Sequence, residues 1–306
     1  MTRRSWIQFL VLSALWGASY LFIKVALEDV SPAMVVFART ALATLVLLPF
    51  ALRSGALDAL RGRPGTVAIL ALVQVAAPFL LISVGEQDLS SSLTGILVAT
   101  APIFSFLLAI RLEREARAEG AAMLGVAVGI AGVILLLGID AGGGSAALIG
   151  GSMVVLASLG YALGAFYLRR NLSDAQPIGV VASAMGASAL MTAPLAAATF
   201  PSQAPDLETF GSLFVLGVGG TGIAFLLFYT LIAEVGPTRS SLVAYVAPGF
   251  SVLYGVLLLD ESFTAATFAG LVLILGGSWL AAEGRLPWQP KKAVRVAARP
   301  APEAAR

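Results

Sequence analysis

The stretch PAMVVFARTALATLVLLPFAL, residues 32–52, returns about 145 positions later as PIGVVASAMGASALMTAPLAA, residues 177–197. Each copy opens on a proline, carries a second proline near its end and is otherwise mostly apolar. About 20 residues of α-helix cross the hydrocarbon core of a bilayer, so each copy reads as one membrane-crossing helix. Working outward, nearly the same offset pairs Trp16 with Tyr161, Lys24 with Arg169, Phe79 with Phe225 and Pro102 with Pro248. It also pairs Glu115 with Glu261, Gly125 with Gly270 and Gly132 with Gly277.

Ten apolar segments follow: Trp6–Val25, Pro32–Leu52, Thr66–Gly85, Leu89–Ile110, Ala121–Gly138, Ala147–Leu168, Ile178–Thr199, Gly211–Ala233, Ser240–Leu259 and Ala265–Ala282. Five per half is odd, so the second half enters the membrane from the opposite side. The expected fold is an all-α integral membrane protein with ten transmembrane helices in two inverted five-helix repeats. Residues 1–138 form the first repeat and 147–284 the second. Residues 285–306 form a basic, disordered cytoplasmic tail, rich in Ala, Pro, Lys and Arg.

Composition and charge support this reading. The chain is 58% hydrophobic and only 12% charged, more apolar surface than a soluble protein of 306 residues hides. Cations follow segments two, four, six and eight: Arg53, Arg61 and Arg63, then Arg111, Arg114 and Arg117, then Arg169 and Arg170, then Arg239. The odd connections carry acids, among them Glu28, Asp29, Glu86, Asp88, Asp140, Asp206 and Asp260. By the positive-inside rule both termini are cytoplasmic. Arg3 and Arg4 could open a signal peptide, but the apolar run behind them is long and nine similar ones follow, so it reads as the first helix.

Several functions are excluded. The net charge of +2 comes from cations at membrane edges and is no nucleic-acid signal. With no cysteine and no histidine, the chain offers no disulfide, no Cys or His metal site and no histidine base. A phosphate-cradling GxxxxGK[ST] loop is missing, which argues against ATP-driven transport by this chain. No enzyme, cofactor or metal is expected.

Polar and aromatic residues inside the spans are the candidates for a site. Arg39 lies about 10 Å below the end of helix two at 1.5 Å per residue, and a guanidinium can receive a carboxylate through two bonds. It can equally hold the bundle together through backbone carbonyls. Trp16, Tyr20 and Lys24 share one face of helix one. Thr221, Phe225 and Tyr229 do the same on helix eight, with Gln74 and Phe79 on the matching helix three. Thr94, Tyr161 and Tyr245 complete a candidate substrate-binding lining. Each aromatic could also simply pack.

Pro102 and Pro248 read as kinks or hinges within helices four and nine. If the halves are inverted, matched charges fall on opposite sides. Lys24 with Glu261 then forms a candidate outer gate and Arg169 with Glu115 an inner one. Glu28 is a rival partner for Lys24. The pairs Gly125/Gly129 and Gly160/Gly164 suit close helix packing, within the bundle or in a homodimer.

Trp16-Gly17, Lys24, Phe37-Ala38-Arg39, Gly236-Pro237-Thr238-Arg239 and Tyr245-Val246-Ala247-Pro248 with Leu259-Asp260-Glu261 resemble the EamA-type branch of the drug/metabolite transporter superfamily. The resemblance spans residues 6–283. It implies ten helices around a central cavity, alternating access, and movement of small metabolites, often amino acids and often outward. It departs at Ile110-Arg111-Leu112-Glu113, where Glu113 and Glu115 compete for one position, and at Glu86-Gln87, where an aromatic is common. Glu86 could meet an ammonium group, carry a proton, or be a loop acid.

The expectation is a secondary transporter or facilitator of small organic metabolites, most simply an exporter of amino acids or related compounds. The alternatives are a sugar-phosphate or nucleotide-sugar antiporter, or a membrane scaffold or sensor. Its partners are a small-molecule substrate and membrane lipids, as monomer or homodimer, in a bacterial inner membrane. No acid lies near the middle of a segment, which favours facilitation over proton antiport.

Overall fold

A chain inside a bilayer must bond its own backbone N–H and C=O groups, and helices do so locally. The structure is a computed structural model and describes residues 1–112, 120–140 and 144–283. Among these residues there is no strand, and nine helices are long and apolar enough to cross a membrane. They are α1 Arg3–Ala26, α2 Pro32–Arg53, α3 Pro64–Gly85, α4 Ser91–Leu112, α5 Gly120–Gly138, α6 Ser145–Asn171, α7 Pro177–Ala198, α8 Leu207–Val235 and α10 Ala265–Glu283. Between the last two lies α9, Val243–Leu258, shorter at 16 residues. The single-turn helix Pro237–Ser240 precedes it, so the ninth apolar segment is divided. The expected tail lies outside the described residues, as does most of the link between the halves.

Side chains set many helix ends. Thr2, Ser31, Ser90 and Asp206 accept bonds from the amides of Ser5, Met34, Leu93 and Thr209. Proline opens α2, α3 and α7, where its missing N–H costs nothing. Gly236, at φ +83°, ends α8.

Helices of the two halves pack in exchanged pairs. The first helix of each half lies on the fourth of the other, α1 on α9 and α6 on α4. The first also meets the third of the other half, α1 on α8 and α6 on α3. Like pairs with like for α2 with α7, α4 with α9 and α5 with α10. Large apolar side chains such as Leu45, Ile134, Leu190 and Leu257 are exposed around the outside, as suits a surface solvated by lipid.

The seam between α5 and α10 is backbone against backbone. A Cβ on Gly277 would stand 2.5 Å from the amide nitrogen of Gly129 and 2.6 Å from the carbonyl of Gly125. Gly160 and Gly164 lie as closely on Pro78 and Gln74 of α3. All four glycines of the two small-residue pairs are therefore packed within the chain. Gly277→Ala should lower thermal stability in detergent by about 1–3 kcal/mol through overpacking. Gly120→Ala, which meets nothing within 4 Å, should leave it unchanged.

The bundle has two end faces. The first carries the start of α1 and the ends of α2, α6 and α8. It is tied by Ser5 to Glu234 and by a two-bond pair of Arg63 with Asp174, 2.8 Å each. The Arg63 bonds hold the exposed Asp174 carboxyl below its usual range. That contact is complete above the ordinary carboxylate pKa and is lost as pH falls through the lowered one. The second face carries the ends of α1, α3 and α9 and the starts of α2 and α4.

Candidate functional site

The third helix of each half is locally underwound at the same place. Residues Leu72–Ala76 of α3 and Val215–Ile223 of α8 are π-helical. In α3 the cause is legible, because Pro78 cannot donate to the Gln74 carbonyl four residues back. In α8 it is a run of weak helix formers, Gly217, Gly219, Gly220 and Gly222. Such π segments turn side chains out of register and are frequent at functional sites.

Thr221 shows the effect. Its hydroxyl donates to the Leu216 carbonyl five residues back, at 2.9 Å, and accepts from Arg39 Nε at 2.8 Å. Arg39 is 8% exposed and lies over the Phe79 ring, 3.9 Å from its centroid. Its two terminal amino groups have no hydrogen-bond partner among the described residues. Phe79 meets Tyr161 edge-on at 6.5 Å. Helices α2, α3 and α8 thus converge on one guanidinium through Thr221 and Phe79, with Tyr161 of α6 behind the ring.

A second cluster joins Trp16 of α1 to Phe225 and Phe228 of α8, at 6.0 and 5.1 Å. Tyr229 packs on both phenylalanines. Trp16, Tyr20, Arg39, Phe79, Tyr161, Thr221, Phe225 and Tyr229 are therefore drawn into the middle of the bundle. Phe228 belongs with them, one step off the stripe that periodicity picks out. Gln74 packs its side chain on Gly164 between α3 and α6. Thr94 is fully buried and returns its hydroxyl to the Ser90 carbonyl, a backbone role.

A cavity of about 830 Å³ runs between α4, α6, α9 and α10. It is lined from Arg169 and Ser173 at the first face to Pro102 and Tyr161, the last about 12 Å inward of Arg169 at 1.5 Å per residue. Tyr245 and Ser241 line it too, and Arg169 stacks on Phe166 at 4.7 Å. Its inner end, at Tyr161, is one ring away from the Phe79–Arg39 stack. Glu115, the proposed mate of Arg169, lies outside the described residues.

The two prolines do different things. Pro248 lies within continuous helix. Pro102 does not, because α4 is broken at Ala99–Thr100 and resumes at Ala101. Pro102 leaves the Val98 carbonyl without its usual donor. Ser158 of α6 approaches that oxygen at 3.2 Å, Thr100 donates to Leu97 at 2.8 Å, and Ser278 of α10 donates to Ala99 at 2.6 Å. Neither Ser158 nor Ser278 stood out in the sequence.

At the second face, Lys24 and Glu261 do not pair with each other. Lys24 Nζ donates to the carbonyls of Glu86 and Leu89, at 2.8 Å each. Glu261 accepts from the amides of Ser91 and Ser92 and from the Ser92 hydroxyl. Each charge thus sits on the backbone end that complements it, the cation on carbonyls after α3 and the anion on amides opening α4. Asp260, at φ +52°, turns the chain so that Glu261 reaches back, and Gly255 leaves room for its carboxylate. The turn 86–92 is gripped from both sides.

These features define an all-helical, multi-pass membrane protein with a half-open interior built around a buried cation. Sequence comparison gives the family: residues 4–138 and again 148–282 match the EamA-like transporter family, and the chain belongs to it. It is 28% identical over 287 residues to the uncharacterized inner membrane transporter YedA of Escherichia coli, covering 92% of this chain and 91% of that one. It is 24% identical over 307 residues to an Escherichia coli protein named probable amino-acid metabolite efflux pump, covering 97% and 99%. A solved crystal structure, 20% identical, superposes with a TM-score of 0.66 over 92% of this chain and 98% of its own.

Thr221→Val leaves Arg39 Nε without its acceptor. It should lower thermal stability in detergent by about 1–3 kcal/mol, and Thr221→Ser should restore most of the loss.

Proposed function

We propose that this chain is a secondary transporter or facilitator of small organic metabolites that carry a carboxylate, amino acids and their relatives first, acting in a bacterial inner membrane. One observation carries the reading: Arg39 is buried, fixed at Nε by Thr221 and on its face by Phe79, with both terminal amino groups unassigned. A guanidinium held in this way offers the two-pronged edge that matches a carboxylate. A buried charge without a partner is costly, so a ligand that completes it gains affinity. The aromatic rings of Trp16, Phe225, Phe228 and Tyr229 supply the apolar wall for the rest of the solute. The relative named as an amino-acid metabolite efflux pump points to the same solute class.

The exchanged helix pairs and the two family matches support ten helices in two inverted repeats, with α9 as the short ninth span. The cation distribution supports cytoplasmic termini, which makes the first face cytoplasmic. On that reading the structure is open to the cytoplasm through the cavity and shut on the outside by the turn 86–92, one end state of an alternating-access cycle.

A radiolabelled-metabolite flux screen in proteoliposomes, with and without a pH gradient, tests this. Amino acids or related carboxylates should move. Arg39→Ala should abolish that flux, and Arg39→Lys, which keeps the charge but loses the fork, should raise the half-saturating concentration about tenfold or more. A purified, folded chain that moves no solute would favour a scaffold or sensor.

A further inference from the structure

Glu86 directly follows α3, and its side chain is fully buried. Both of its carboxyl oxygens lack a hydrogen-bond partner among the described residues, as does the Ser91 hydroxyl in the same turn. A carboxylate removed from water and given no donor is among the costliest groups a protein can hold, and a proton removes most of that cost.

The surroundings explain why no donor comes. The charged groups that act on it are Lys24 of α1, Glu261 after α9 and Arg39 of α2. Tyr20 of α1 is near enough to feel the same carboxyl, and α6 presents Gly150 and Val154 to Gly85. Lys24 is committed to the Glu86 and Leu89 carbonyls, and Glu261 to the amides of Ser91 and Ser92. The grip on the turn is internally satisfied only while Glu86 is neutral. Ionised, the carboxylate competes with its own carbonyl for the Lys24 ammonium and repels Glu261 from the start of α4.

We propose that Glu86 is a proton-binding site that governs the second-face mouth: protonated, it lets Lys24 and Glu261 hold the turn shut, and deprotonated, it releases them. In the opening step the carboxyl O–H bond breaks, its electron pair stays on the carboxylate, and the proton passes to water on that face. This deepens the transport reading and rests on it in treating the turn as a mouth. It also reverses the expectation of simple facilitation. The acid is absent from the middle of the helices because it stands at the end of one, where sequence alone files it with the loops.

The chain has no cysteine, so Ser83→Cys, one turn before Glu86 and buried, gives a single reporter. The full-length protein in liposomes is treated from the second face with a membrane-impermeant maleimide across a range of pH. Labelling, corrected for the reagent's own pH dependence, should rise by up to about tenfold per pH unit as one group titrates, then level off. In Glu86→Gln and in Glu86→Leu it should stay at the low-pH rate, with both variants as heat-stable as the parent at low pH. Labelling indifferent to pH in the parent, a rise that persists in either neutral variant, or failure of both variants to fold would overturn the proposal. Solute flux on the same vesicles separates the two readings. Flux with pH-blind labelling removes the proton site and leaves transport standing. Labelling that titrates through Glu86 without flux of any solute keeps the site and removes transport.

Discussion

The whole arrangement depends on one constraint, that a backbone group out of reach of water must find a partner within the protein. An unbroken helix meets it without help, and most of this chain is unbroken helix. Several interruptions are answered by particular side chains. The break in α4 is met by Ser158, Ser278 and Thr100. The π segment of α8 is met by Thr221, and the turn between α3 and α4 by Lys24 and Glu261. One of these patches, Thr221, also holds Arg39, so a repair of the backbone doubles as a support for the buried cation.

This explains why Arg39 is held as it is. Its Nε partner is a threonine already bonded to a carbonyl, and its flat face rests on a ring. Neither contact neutralises the charge. A carboxylate side chain at Thr221 would have made a closed ion pair with no reason to bind anything else. A hydroxyl and a ring fix direction and leave the positive edge available.

Much of this was legible in the sequence. Hydropathy located the spans, because runs of about 20 apolar residues admit few other readings. Period-four stripes on α1 and α8 found Trp16, Tyr20, Phe225 and Tyr229 on the inner side, since a helix that turns 100° per residue presents them together. Arg39 stood out as a charge deep in a span. What was missed depends on departures from the ideal helix. Phe228 is the exception: it lies in regular helix three residues after Phe225, and a stripe counted strictly in fours passes over it. The helix breaks just before Pro102 and runs unbroken through Pro248, a difference the matched prolines do not show. Lys24 and Glu261 do meet the same turn but not each other, because sequence pairs opposite charges readily and does not show the helix ends that compete for them. The signal that could have revealed this is Ser90-Ser91-Ser92, a helix start with several amides to satisfy.

The break in α4 has a consequence for ancestry. Its two distant donors, Ser158 and Ser278, both belong to the second half. Counting back by the repeat offset of about 145, their counterparts are Ser13 and Val133. Ser13 is committed to the Phe9 carbonyl of its own helix, and valine has nothing to donate. Two copies of the first half would therefore leave the Ala99 carbonyl without the donor that Ser278 supplies. At this break the first half has come to depend on the second: a duplicate of itself would not serve in its place.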